Sequence, residues 1–205
     1  MTRKLFFFDV ETTGLDYRKH GIHQLSGCID VTGQKVEYFD FRMRPFETDE
    51  IEDKALEIAH VTREQIAEYP SPIEVKKQLQ ALMEKYVNKY DKTDKFHIVG
   101  YNNAFFDNSF LREYWNKTGD KYFGSMFHQN TIDAMVLASE ALQDERINLE
   151  NFKLATVAKY FGVNIDESKL HDARYDIYLT RKVYLSSLEK IYQNVLNSKN
   201  NQVNL

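Results

Sequence analysis

Near its start the chain carries Lys4-Leu5-Phe6-Phe7-Phe8-Asp9-Val10-Glu11-Thr12-Thr13-Gly14. Lys4–Val10 is an almost unbroken apolar run with charges at its ends, the pattern of a central strand covered on both faces. Side chains alternate along a strand, so Asp9 and Glu11 share one face and Val10 points to the other. Two carboxylates ~4 Å apart repel by about 4 kcal/mol at an effective dielectric near 20, unless a cation sits between them. A hard divalent cation with oxygen ligands, Mg²⁺ or Mn²⁺, is the natural answer. Thr12-Thr13-Gly14 then gives a tight turn whose N–H groups and hydroxyls can approach a phosphate or a terminal sugar. The plainer alternative is an edge strand with solvated acids.

Working outward, Gln24–Val31 and Gln34–Arg44 flank Thr32-Gly33 and are expected to form an antiparallel hairpin. The period then changes. Val75, Leu79, Leu82, Met83, Tyr86 and Tyr90 follow spacings of 3 and 4, which predicts an amphipathic helix from Ser71, with Pro72 near N1. Lys95–Tyr101 reads as a strand and Phe106–Asn116 as a helix after it. Leu154, Val157, Ala158 and Phe161 mark another helix, closed by Gly162. Ile177, Tyr184, Leu188, Ile191 and Val195 share the stripe of a long final helix. Phe46–Tyr69 reads as short helices and turns. Strands come first, then strands alternate with helices, so the expected fold class is α/β: one mixed sheet with helices on its faces.

Composition bounds the function. The net charge of −4 gives no global basic field to hold long duplex DNA. The single cysteine, Cys28, excludes an intramolecular disulfide and a Cys-rich zinc site. No apolar run approaches the ~18 residues of a membrane span, and a soluble, cytoplasmic protein without a membrane partner is expected. With three prolines and no Gly/Ser linker, the expectation is a single domain over 1–196 and a polar, frayed tail over 197–205.

Two further strings carry chemistry. Val99-Gly100-Tyr101-Asn102-Asn103-Ala104-Phe105-Phe106-Asp107 ends a strand in an Asn-rich turn and delivers Asp107 to a helix's first turn. An acid there also suits the helix dipole alone. Phe105 and Phe106 are either core residues or a stacking surface for a base. His171-Asp172-Ala173-Arg174-Tyr175-Asp176 places His171 on a loop and Asp176 one turn inside the following helix. A loop imidazole can take a proton from water near neutral pH. The other histidines, His20, His23, His60, His97 and His128, read as surface residues.

Together, Asp9/Glu11, Asp107 and His171/Asp176 resemble the motifs of the DEDDh 3′–5′ exonuclease superfamily, whose best-known members are the proofreading (epsilon) subunits of bacterial replicative DNA polymerases. The resemblance runs from about Lys4 to Leu188 and includes Thr131-Ile132-Asp133 and Lys153-Leu154-Ala155. Many members have His-Asn where this chain has Tyr101-Asn102. The resemblance implies a ribonuclease H-like mixed five-stranded sheet flanked by helices. It also implies two divalent cations, Mg²⁺ or Mn²⁺, held by Asp9, Glu11, Asp107 and Asp176, with His171 as general base. Thr12, Thr13, Gly14, Leu15, Asn102 and Phe106 are the expected grip on the terminal nucleotide. The expected substrate is the 3′ end of single-stranded DNA, with RNA as the alternative; a non-catalytic accessory module would lack one of the acids. A DNA polymerase is an expected partner. Gln202-Val203-Asn204-Leu205 is similar to peptides that dock on a sliding clamp, although a frayed tail is the weightier reading.

Overall fold

The computed structural model describes residues 3–32, 34–170 and 172–203. Five strands form one mixed sheet in the order β3-β2-β1-β4-β5, built from β1 (Lys4–Thr12), β2 (Ile22–Val31), β3 (Lys35–Arg42), β4 (His97–Gly100) and β5 (Ile132–Asp133). The apolar Lys4 run is indeed central. It pairs antiparallel with β2 and parallel with β4. The expected hairpin is β2–β3, closing at Val31↔Lys35; Gly33 of its turn lies outside the described residues.

The helices are α1 (Asp53–Ile58), α2 (Arg63–Ala67), α3 (Pro72–Met83), α4 (Asp107–Lys117), α5 (Phe123–Met126), α6 (Ala134–Ala141), α7 (Leu154–Tyr160) and α8 (Ala173–Val203). By contacts the chain divides into two compact units, Met1–Val99 with Asn103–Ile132, and Gly100–Asn102 with Asp133–Leu205.

In the first unit Phe6, Phe8 and Val10 point from β1 into one apolar cluster with Val75, Leu79 and Leu82 of α3 and Phe110, Leu111 and Trp115 of α4. Phe6 is its hub, stacked on Phe39 at 5.2 Å and edge-on to Phe127 at 5.3 Å. Leu5 and Phe7, which alternate to the other face, are buried as well. Ser71 caps α3 by accepting from the Glu74 N–H at 3.2 Å, with Pro72 in the first turn. The apolar stripe of α3 outlasts its helix. Lys85 and Tyr86 turn back onto Leu82 and Met83, and the Tyr86 hydroxyl is held by Glu37 of β3, which leaves Tyr90 exposed.

In the second unit α6 and α7 both pack on α8. Ala134, Ala138 and Ala141 are fully buried, small enough to admit the long helix closely. Gly162 closes α7 at φ +81°. The backbone of α8 stays helical to Val203, across most of the stretch expected to fray. Asn204 and Leu205 of the clamp-like string lie outside the described residues. No described helix is long and apolar enough to cross a membrane.

Gly27, opposite Phe8 on β2, marks a close approach. An added methyl there would run into the Phe7 carbonyl and the Phe39 ring. Gly27→Ala is expected to cost about 2 kcal/mol or more by denaturant titration. Gly124→Ala in α5, where the methyl meets nothing, is the neutral control.

Candidate active site

The candidate site begins where β1 outruns its neighbour. The last β1–β4 pair is Phe7↔Val99, whereas β1 continues to Thr12. Phe8 and Val10 are in the core, so Asp9 and Glu11 project from the opposite face, both half-buried. Beyond β4 the chain turns through Tyr101–Phe106 and begins α4 at Asp107, which is buried. Asp107 Oδ1 accepts a hydrogen bond from the Val10 N–H at 3.3 Å. That bond brings the third carboxylate to the backbone segment between the first two.

The Thr12–Gly21 loop is fastened inward. The Thr13 hydroxyl donates to the Glu50 carbonyl at 2.7 Å and accepts from the Gly21 N–H at 3.0 Å, and the Thr13 N–H donates to the Gly21 carbonyl. Thr13 therefore builds the loop; its side chain and N–H are not available to a ligand. Thr12 donates to the Gly14 carbonyl at 2.8 Å. Gly14 lies against the imidazole of His20, where any Cβ would collide. What the loop presents outward is Leu15, 80% exposed at its tip.

The two phenylalanines before Asp107 separate. Phe106 packs on Phe110 at 4.9 Å and against the core, while Phe105 is 92% exposed. Helical spacing carries the signal, since Phe106 and Phe110 are four apart and share the buried face of α4. Phe105, not Phe106, is the exposed ring.

The second unit carries the remaining positions. Asn102 is left-handed, φ +56°, and its N–H donates to Asp133 Oδ1 at 2.9 Å. The Tyr101 hydroxyl donates to the Phe152 carbonyl at 2.7 Å, and burial pushes its pKa up. Tyr101 is thereby tied to the backbone of Phe152 within the second unit. Asp176 occupies the first turn of α8, its N–H bonded to the Asp172 carbonyl at 2.9 Å. His171 lies outside the described residues.

Among the described residues no group of three or more His, Cys, Asp or Glu side chains is arranged to hold a metal ion. The donors suit one in kind. Asp9, Glu11 and Asp107 offer oxygen only, and the lone thiol, Cys28, is buried. An all-carboxylate set fits a hard divalent cation.

Two histidines expected at the surface are interior instead. His20 accepts from the Asp16 N–H at 3.0 Å and faces Glu52 at 3.1 Å. His23 is 1% exposed, sits at the β2 irregularity opposite Glu11 and Thr12, and finds no partner for its Nε2 among the described residues. Burial first, and Arg42 second, push its pKa down to about 4. His97 and His128 stack on each other at 4.2 Å. Residues that look like isolated surface histidines in sequence are brought inside by long-range pairing.

A family model described as Exonuclease (RNase T) matches residues 6–184. The chain belongs to this exonuclease family, which is the enzyme class, phosphodiester hydrolases of nucleic acid, that the three motifs led us to expect. No curated protein matches. Among solved structures, E. coli exonuclease I in complex with a dT13 oligonucleotide aligns at TM-score 0.71 and 22% identity, covering 96% of this chain and 43% of that one. A zinc-bound form of the E. coli enzyme with single-stranded DNA gives 0.71 and 21%, covering 97% and 43%. A complex of exonuclease I with SSB-Ct gives 0.70 and 18%, covering 96% and 44%. The likeness establishes the fold, and the chain spans less than half the length of these proteins.

The buried His23 sets a pH dependence. Above pH 6.5 the imidazole is neutral whether folded or unfolded and contributes nothing. As pH falls from about 6.5 to about 4, the unfolded chain takes up a proton that the folded one refuses, and stability falls by roughly 3 kcal/mol. Chemical denaturation across this window should give a flatter profile for His23→Leu than for the unaltered chain. An equal slope would remove His23 as the cause.

Proposed function

We propose that the chain is a 3′–5′ exonuclease that removes nucleoside 5′-monophosphates from the 3′ end of single-stranded DNA. The observation that carries the reading is the Val10 N–H bond to Asp107, which sets the start of α4 against the backbone segment between Asp9 and Glu11. The family match and the oligonucleotide bound to E. coli exonuclease I support the direction and the substrate.

In this reading Asp9, Glu11, Asp107 and Asp176 would hold two divalent cations, Mg²⁺ or Mn²⁺. When bound, the cations acidify the attacking water and stabilise the leaving 3′ oxygen. His171 takes the water's proton. Water oxygen bonds to phosphorus, the P–O3′ bond breaks, and the phosphate departs on the terminal nucleotide. Leu15 wedges against the last base, Phe105 offers a ring to stack on, and the backbone of Thr12 and Gly14 together with Asn102 orients the sugar. With the cations supplying most of the positive charge, one terminal nucleotide needs few basic side chains, which suits a net charge of −4.

A 5′-labelled single strand incubated with the chain and Mg²⁺ or Mn²⁺ should shorten stepwise from its 3′ end, and a chelator should stop it. Asp9→Asn and Asp107→Asn are expected to abolish the ladder. His171→Gln should slow it by about 10²- to 10⁴-fold. Absence of shortening at any pH from 6 to 9 would reject the proposal, and a strong preference for a matched RNA strand would reassign its substrate.

A further inference from the structure

Alongside α4, within the first unit, runs a groove of about 440 Å³. Ala104 and Asn108, which flank Asp107 in the chain, line it, as do Arg112 and Asn116 further along the helix. Tyr17, two residues beyond the exposed Leu15, and Thr131 line it too. The groove thus starts beside the candidate site and follows the helix for about 12 Å, from Asn108 to Asn116.

We propose that this groove is a second subsite, which takes the sugar–phosphate backbone behind the terminal nucleotide, with Arg112 contacting one phosphate. The proposal rests on the exonuclease reading above and names where the rest of that substrate lies.

The lining has the chemistry such a ligand needs. A phosphodiester backbone offers only hydrogen-bond acceptors, so its groove must offer donors. A relay prepares them. Asn103, buried, donates from Nδ2 to Asn108 Oδ1 at 3.2 Å, and Asn108 Nδ2 donates to Thr131 Oγ1 at 3.3 Å. Thr131 accepts in that bond, so its own O–H is left to donate outward, as is the second amide hydrogen of Asn108. Gln129 adds another amide.

The charges are matched to a single phosphate. The Arg112 guanidinium lies over the Phe123 ring at 4.5 Å, which fixes its plane while leaving its edge N–H groups for an anion. It forms no ion pair among the described residues. The groove's acid, Glu113, already accepts from Asn116 Nδ2 at 3.0 Å. One cation and several neutral donors would grip a strand without trapping it.

The test is the length dependence of binding and cleavage by Arg112→Gln. Fluorescence anisotropy of a labelled oligothymidylate in chelator, with no cleavage possible, should show affinity roughly tenfold weaker. Its log–log salt slope should be shallower by about 0.7, the share of one phosphate on a single strand. With Mg²⁺, KM should rise for oligonucleotides of five or more residues and stay unchanged for a dinucleotide, with kcat unaltered. Arg112→Lys should recover the salt slope, because it restores the charge. Loss of the Phe123 stack alone would lower the melting temperature and leave the slope intact, which would overturn the proposal. So would unchanged affinity in Arg112→Gln. A chain that cuts nothing yet loses affinity in Arg112→Gln would keep the groove and sink the exonuclease reading instead.

Discussion

A mismatch in strand length underlies the whole site. β1 has nine residues and β4 has four, so the far end of β1 has no strand beside it on that side. A buried backbone N–H without an acceptor costs on the order of 1–3 kcal/mol, and Val10 is buried. Asp107 supplies the acceptor. The same bond that satisfies the sheet therefore fixes where α4 starts and draws a carboxylate toward two others. Structural need and chemical need meet in one contact. Asp9 and Glu11, on either side of Val10, project from the face opposite the core.

The apolar layer under the site keeps this arrangement from relaxing. Phe6 and Phe8 alternate with Phe7 and Asp9, so rotating β1 to separate the acids would expose the aromatic cluster built on Phe39, Phe96 and Phe127. A slip of one residue would invert every side chain. On the outer side, the Thr13–Gly21 clasp and the imidazole of His20 under Gly14 hold the loop that presents Leu15. The first unit thus holds Asp9, Glu11 and Asp107 on fixed backbone and presents an exposed apolar tip at Leu15.

How much of this the sequence discloses depends on the range of the interaction. The apolar run of Lys4–Val10, the Ser71-Pro72 cap and the Gly162 stop are local, and each appears in the structure where local rules put it. The two-unit division and the interior places of His20 and His23 come from pairings between distant segments, which single-residue tendencies do not encode. Thr13 is intermediate. Thr-Thr-Gly correctly announces a turn, but the partner that consumes its hydroxyl is Glu50, thirty-seven residues away. Phe105 and Phe106 were separable once the helix was anchored at Asp107, since only Phe106 shares a face with Phe110. The Ala-rich α6 gave no period to read, because nearly all its side chains are small or apolar and its boundary rests on Asp133, which accepts from the Met135 N–H at 2.9 Å.

The placement of the acids also follows one rule in both units. Asp107 stands in the first turn of α4 and Asp176 in the first turn of α8, where the helix dipole and free N–H groups favour negative charge by about 0.3–1 kcal/mol each. The backbone field at each helix start favours the carboxylate's charged form. A basic side chain in that role would compete with a cation for the same oxygens, whereas a helix dipole lies behind the carboxylate and leaves its outer lone pairs open. A fold that must bring acids together without neutralising them in advance gains from using backbone fields for their support. Both Asp107 and Asp176 stand at helix starts, where that backbone support is available.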